Sequence, residues 1–312
     1  MILVAGSANL DFVVRASHIP APGETVLGRE FKTFPGGKGA NQAVACARAG
    51  GVPTAMLLAL GNDAFATPLA DSLTQAGVQL HTVRAANQPT GTAFICVSDD
   101  GENAITVAPG ANHALLPEHL AQHLPSLQGI THLLMQLETP LASVQAYAQA
   151  ARAQGVQVVL NAAPAQALPA QLLDLVDVLI VNEGELIALT AQQRHGQGGE
   201  PTSTPNSVQD KLAQLSVPCV VVTLGGKGCL ARVRDAQGRS TYLEQSAFNV
   251  KVIDTTAAGD TFCGALVAAL SQHATWAQAL QRASAAAALA CTQLGAQNSI
   301  PTAAAIPQLL PQ

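Results

Sequence analysis

The chain has 312 residues, a formal net charge of −5, 48% hydrophobic residues and 3% aromatic residues. That length suits one large α/β domain, whose core must be built from Ala, Leu and Val because aromatics are scarce. The acidic balance and the lack of any basic run argue against a nucleic-acid partner, and every apolar stretch is interrupted by Gly, Pro or polar residues before it reaches membrane-spanning length.

Cys46, Cys96, Cys219, Cys229, Cys263 and Cys291 are widely spaced and form no CxxC pair. Buried free thiols in a reducing compartment are expected. Met1 runs straight into Ile2-Leu3-Val4-Ala5 without a basic leader, so a cytoplasmic location is expected.

Ile2-Leu3-Val4-Ala5 is expected to be a buried parallel strand, ended by Gly6-Ser7. Asn9 and Asp11 follow at its carboxyl end, where open α/β sheets bind ligands. A carboxylate with an amide suits the adjacent hydroxyls of a polyol; local turn bonding is the other reading. Phe12-Val13-Val14 and Phe31-Lys32-Thr33-Phe34 are expected short strands, separated by Pro20, Pro22 and Gly23. Residues 90–97 and 104–107 form a hairpin turned at Asp99-Asp100-Gly101. These pieces predict a small β-sheet lid, from approximately 12–34 and 90–107, over the carboxyl edge of the main sheet.

Gly36-Gly37-Lys38-Gly39 packs three glycines into four positions ahead of a helix over 40–49. Such a loop lets backbone approach a ligand closely, or merely turns a corner with Lys38 exposed. Walker A spacing is absent. A strand over 52–60, a helix over 66–76 and a strand over 78–83 follow, with Asp63 orienting its loop or capping the helix. Further on come a helix over 117–124 and a strand over 131–137. Glu138 stands at the end of that strand, and Pro140 opens the next helix. Strands over 156–161 and 178–181 complete a βα rhythm that predicts a mostly parallel sheet with helices on both faces. Asn182-Glu183-Gly184-Glu185 suits an acidic first helical turn. Polar residues 194–206 suggest a surface insertion before a helix over 207–214. A strand over 219–224 leads into the tight loop Gly225-Gly226-Lys227-Gly228, and an Ala-rich helix spans 276–294.

The chain is organised around Asp254-Thr255-Thr256-Ala257-Ala258-Gly259-Asp260-Thr261-Phe262. The small run Ala257-Ala258-Gly259 lets N–H groups converge at a helix start, an anion site. Asp260 at its mouth is either a helix N-cap or a base that takes the proton of a hydroxyl attacking a phosphoryl group.

DTTAAGDTFCGAL and GGKGANQAV resemble the two signatures of the ribokinase, or PfkB-type, carbohydrate kinase family. LLMQLETP, Asn182-x-x-Glu185, TLGGKG and GAQNS resemble family segments between and after them, so the likeness covers almost the whole chain. It implies a three-layer α/β/α kinase domain over 1–312, with a small β lid, that phosphorylates D-ribose at O5 with ATP. Kinases for 2-deoxyribose, fructose or a nucleoside are the near alternatives, and a non-catalytic sugar-binding regulator is the distant one.

The same resemblance assigns Asp260 as base and Ala257, Ala258 and Gly259 as the anion hole. It gives the sugar to Asn9, Asp11, Gly37, Lys38, Asn41 and Glu138. The nucleotide falls to Asn182, Thr223, Gly225, Gly228, Gly259 and Ser284. Water-mediated Mg²⁺ falls to Asn182 and Glu185. K⁺ would lie among Asp254, Thr256, Ala290, Gln293, Gly295 and Ser299. Asn298 departs from the family's Pro, and Val181 and Gly184 are milder departures. A homodimer through the lid sheets is also implied.

Overall fold

The computed structural model describes residues 1–196 and 207–310. Most of the polar 194–206 stretch, expected as an insertion, lies outside the described residues. In chain order, β1 (Ile2–Ala5), β2 (Asn9–Arg15) and β3 (Glu30–Gly36) precede α1 (Lys38–Val44), which widens into a π-type turn over Ala45–Ala49. β4 (Thr54–Gly61), α2 (Ala66–Gln75), β5 (Val78–Ala85), β6 (Gly91–Val97) and β7 (Asn103–Ala108) follow. Next come α3 (His119–His123), β8 (His132–Met135), α4 (Leu141–Ala153), β9 (Gln157–Asn161), α5 (Ala170–Leu173), β10 (Val178–Asn182) and α6 (Glu183–Gly196). The chain ends with α7 (Val208–Gln214), β11 (Cys219–Thr223), β12 (Cys229–Arg234), β13 (Ser240–Gln245), α8 (Ala258–Ser271) and α9 (Trp276–Ala290).

The main sheet has the order β13-β12-β11-β10-β9-β8-β1-β4-β5. β5 through β11 pair in parallel, and β12 and β13 add an antiparallel edge. Its inner strands are unbroken apolar runs because both faces are covered. β1, β4 and β8 are buried at every position. Alternation splits them between two layers: Ile2, Val4 and Met56 pack toward α1 and α8, while Leu3, Ala5 and Leu57 pack toward α4 and α6.

β1 lies between β4 and β8, so the winding reverses there. Ligands of open α/β sheets bind outside the carboxyl ends of strands at such a switch. Ser7 leaves β1 and Glu138 follows β8 at that point.

A second sheet has the order β3-β2-β6-β7. It matches the expected four strands and begins earlier, at Asn9. Asn9 and Asp11 therefore belong to β2 of this small sheet, since only Gly6-Ser7-Ala8 separate β1 from it. Two other differences stand out. α1 starts at Lys38, and α9 stops at Ala290, because residues 291–299 fold into loops tied to Asp254. The β12–β13 hairpin was not anticipated from the sequence.

Candidate active site

The start of α8 is shaped by Ala257, which is its N-cap with a left-handed backbone (φ 59°). A non-glycine residue held there costs about 1–3 kcal/mol. The conformation turns the backbone of Ala257, Ala258 and Gly259 into the helix start. A side chain on Gly259 would meet nothing within 4 Å, so this turn opens onto free space.

Asp260 is the third residue of α8, and its carboxylate does no capping. Oδ2 accepts from Asn41 Nδ2 at 3.0 Å, and Oδ1 accepts from Gln42 Nε2 at 2.9 Å. The N-cap reading of Asp260 is thereby overturned: Ala257 holds the N-cap position, and the Asp260 carboxylate faces α1.

In front of Asp260 lies a cavity of about 160 Å³. Ala257, Gly259, Asn182, Glu185, Thr223, Lys38, Asn161 and Cys263 line it together with Asp260. Lys38, a sugar contact by sequence, thus also borders the anion side. Asp260 raises the pKa of the Lys38 ammonium against the opposing effect of burial, and Glu138 and Glu185 act in the same upward direction.

Asn182 and Glu185 form a reciprocal cap of α6. Glu185 N donates to Asn182 Oδ1, and Asn182 N donates to Glu185 Oε2, each at 2.8 Å. The acidic helix start read from sequence is present, and both side chains also line the cavity. Burial pushes the Glu185 carboxyl up.

On the other side of Asp260 are the remaining sugar candidates. Asp11 is buried, and its pKa is raised to about 7 by burial first, then by the charges of Glu138 and Asp260. Glu138 Oε2 accepts from Ser7 Oγ at 2.5 Å and from the Lys38 backbone N–H at 3.1 Å. Ser7 Oγ accepts in turn from Gly39 N at 3.2 Å. Glu138 and Ser7 therefore hold the glycine-rich loop. Gly37 has φ 90°, and a side chain there would come within 2.7 Å of Asn9 N, so only glycine fits. Asn9 Oδ1 accepts from Asn112 Nδ2 at 2.7 Å. Asn41 Oδ1 is buried without a hydrogen-bond partner among the described residues.

Gly225, Gly228 and Ser284 are not brought into the cavity. Gly225 sits in a turn, and Gly228 (φ 102°) has no room for a side chain, which would lie 2.0 Å from Gln245 O. Ser284 is buried on α9, with its hydroxyl 3.7 Å from Cys229 Sγ.

The cation candidates are linked through Asp254. Its Oδ1 accepts from Thr256 N at 2.9 Å and from Thr256 Oγ1 at 2.7 Å, and its Oδ2 accepts from Gly295 N at 2.9 Å. Ile253 N and Asp254 N both donate to Cys291 O. Ser299 and Ala290 are buried beside these loops, and Gln293 faces outward.

Sequence reasoning missed five polar groups: Ser7, Asn112, Gln42, Gln136 and Asn161. Gln42 and Gln136 stand inside the motifs GGKGANQAV and LLMQLETP, and that position was the available signal.

The pfkB family carbohydrate kinase profile matches residues 1–303. The chain belongs to this family. It is 39% identical over 304 residues to a ribokinase of Haemophilus influenzae, covering 96% of this chain and 95% of that one. Its fold is similar to that of a ribokinase from Thermotoga maritima, with a TM-score of 0.85, 35% identity and coverage of 99% and 98% of the two chains. It is likewise similar to an Arabidopsis thaliana ribokinase complexed with ribose and ATP, with a TM-score of 0.87, 34% identity and coverage of 99% and 97%. The family, the carbohydrate kinase class and the α/β fold expected from the sequence are all found.

Proposed function

We propose that this carbohydrate kinase transfers the γ-phosphoryl group of ATP to O5 of D-ribose, giving D-ribose 5-phosphate and ADP. The similar proteins named above are ribokinases, and one of them is described with ribose and ATP bound. The observation that carries the reading is the position of Asp260. It lies between a polar group suited to hydroxyls (Asp11, Asn41 and Glu138) and a small cavity bounded by a helix start and Lys38.

Ribose rests against Asn9, Asp11, Gly37, Asn41 and Glu138, with its primary hydroxyl toward Asp260. Asp260 accepts the hydroxyl proton as the oxygen attacks the γ-phosphorus in line. Charge developing on the transferred group meets the N–H groups of the turn at Ala257, Ala258 and Gly259, and the Lys38 ammonium. Thr223 and Gly259 border the phosphates, and Gly225, Gly228 and Ser284 serve the rest of the nucleotide beyond the cavity.

Mg²⁺ bound with ATP would supply neutralisation of the charge on the transferring phosphoryl group. Asn182 and Glu185 fit it through water: among the described residues their mutual cap leaves Glu185 Oε1 beside the cavity to accept from a metal-bound water, and the Asn182 amide nitrogen to donate to a phosphate oxygen. K⁺ fits the loops joined by Asp254, where Thr256, Ser299 and the carbonyls of Ala290, Gln293 and Gly295 offer oxygens. Bound there, it would stiffen the turn before Asp260.

The whole chain acts as one kinase domain, the β2-β3-β6-β7 sheet being its lid and the contact of a homodimer. The six cysteines are free, in keeping with a cytoplasmic setting, and among the described residues no helix is long and apolar enough to cross a membrane.

An ADP-release assay across ribose, 2-deoxyribose, fructose and adenosine tests the assignment. Ribose should give the highest kcat/KM. A higher value for another acceptor reassigns the substrate, and ribose binding without ADP release turns the protein into a sugar-binding regulator.

A further inference from the structure

Gln42 on α1 is fully buried and takes no part in the steps above. Both of its amide protons are used. Nε2 donates to Asp260 Oδ1 and to Asn161 Oδ1, each at 2.9 Å, and Oε1 accepts from Gln136 Nε2 at 2.7 Å. The direction of this chain is fixed at both ends by groups that only accept. Asn161 Nδ2 donates to the Ile180 carbonyl at 3.1 Å, which turns the Asn161 oxygen toward Gln42. Ionised Asp260 has no proton to give. The Gln42 nitrogen is therefore committed on that side, and its oxygen must face Gln136.

Each oxygen of the Asp260 carboxylate thus has one amide donor, Gln42 on Oδ1 and Asn41 on Oδ2. The two amides differ in what else they do. Asn41 keeps a bare Oδ1, which suits a ligand hydroxyl, whereas both Gln42 protons are committed and its oxygen is already engaged by Gln136. Close approach of the two helices makes the contact possible. A side chain on Gly264 of α8 would lie 2.6 Å from Gln42 O and 2.5 Å from Ala45 Cβ.

We propose that Gln42 is a positioning residue that, braced by Gln136 and Asn161, holds the Asp260 carboxylate in the rotamer that accepts the hydroxyl proton. The proposal rests on Asp260 being the base. The other charged or titratable groups around that carboxylate are Lys38 on α1, Asp11 on β2, Glu138 after β8, Glu185 on α6 and Cys263 on α8. Among the described residues, its hydrogen-bond donors are Asn41 and Gln42 alone.

The test is a double-mutant cycle on the full chain with ribose and ATP. Gln42→Met keeps the length of the side chain and removes its donors and acceptor. It should lower kcat about 10- to 100-fold, the scale of a misplaced reacting group, with KM for both substrates little changed. In an Asp260→Asn background the same change should cost nothing further, because the group it positions is gone. Wild-type kcat in a folded Gln42→Met protein overturns the proposal. An equal loss in both backgrounds also overturns it, since that is the mark of a purely structural role. If Gln42→Met does not fold, Gln136→Leu removes a single bond and is put through the same cycle. A loss confined to the Asp260 background supports the proposal, and any other result overturns it. Failure of the base assignment is separately visible, as Asp260→Asn alone with near-wild-type kcat.

Discussion

Asn41 Nδ2 donates to Asp260 Oδ2 at 3.0 Å across a sequence separation of 219 residues. The bond joins α1, just behind the glycine-rich loop, to the first turn of α8. The two stretches that looked most informative separately are two halves of one site, each using a helix start. The bond also decides between the two readings of Asp260. A carboxylate spent on another helix is not capping its own.

Asp260→Asn should fold, bind ATP and lose most turnover. The new amide nitrogen can face Asn41, whose unpartnered Oδ1 is able to turn toward it. The new oxygen still accepts from Gln42. Asn cannot take the hydroxyl proton, so kcat should fall about 10²–10⁴-fold, or about 3–5 kcal/mol of transition-state stabilisation. Turnover, nucleotide binding and thermal unfolding are measured together. Near-wild-type kcat with chemistry rate-limiting removes Asp260 as the base.

What was legible in the sequence follows from burial. Ile2-Leu3-Val4-Ala5 and the run of β4 are continuous apolar strands because helices cover both faces, and such runs announce themselves. β12 and β13 did not, because Arg232 interrupts one and polar edge residues fill the other. The Arg232 guanidinium is fully buried, donating to the carbonyls of Leu212, Leu215 and Val217, a setting that its sequence neighbours do not advertise. Asn9 and Asp11 were assigned to the end of β1 because three intervening residues cannot show that the chain changes sheets. Glycine-rich loops carry their own signal through spacing. Gln42 and Gln136 had only their place inside the two motifs and Asn161 had no signal at all, because the meaning of a buried amide lies in partners about a hundred residues away or more.

Ser7→Ala should loosen the sugar site. Ser7 Oγ donates to Glu138 and accepts from Gly39 N, so its loss frees the carboxylate and the glycine-rich loop together. A hydrogen bond to a charged group contributes about 1.5–3 kcal/mol, so ribose KM should rise about tenfold or more. ATP KM should hardly move. Unchanged ribose KM in a folded variant sinks the role given to Ser7.

The lid sheet should mediate dimerisation. Pairing places Asp11, Ala93 and Val107 in one row across β2, β6 and β7, and Val13, Ile95 and Ile105 in the next row on the same face. Ile105 is 55% exposed and Val107 is 42% exposed, an apolar surface continuing from the sugar group. A second lid would cover it. Sedimentation across micromolar dilution should show a dimer, and Ile105→Arg should give a monomer with raised ribose KM. A fully active, monomeric wild-type protein refutes this.

K⁺ should activate without touching substrate. Asp254 ties Thr256 to Gly295, so an ion among these loops should stiffen the turn that presents Ala257, Ala258 and Gly259. Rates should rise with KCl beyond an ionic-strength control using a large organic cation. Equal rates in both salts, after residual K⁺ is removed, defeat the proposal.

The pH dependence belongs to Asp11. Its folded pKa, about 7, lies above the ordinary 3.8 because burial and the charges of Glu138 and Asp260 oppose ionisation. Between those two values the folded chain binds a proton that the unfolded chain has lost, so stability falls as pH rises. Below that window Asp11 contributes nothing; above it the full penalty stands, on the order of 4 kcal/mol. Asp11→Asn cannot ionise, so it should be more stable than wild type at about pH 8, with the gap closing toward about pH 4. Ribose hydroxyls donate to the charged form and favour it. Wild-type ribose KM should therefore rise as pH drops below about 7, and the variant's KM, higher throughout, should lack that step. Thermal unfolding and ribose KM across this range check both halves. A stability difference that does not vary with pH would show that Asp11 ionises normally in the folded protein.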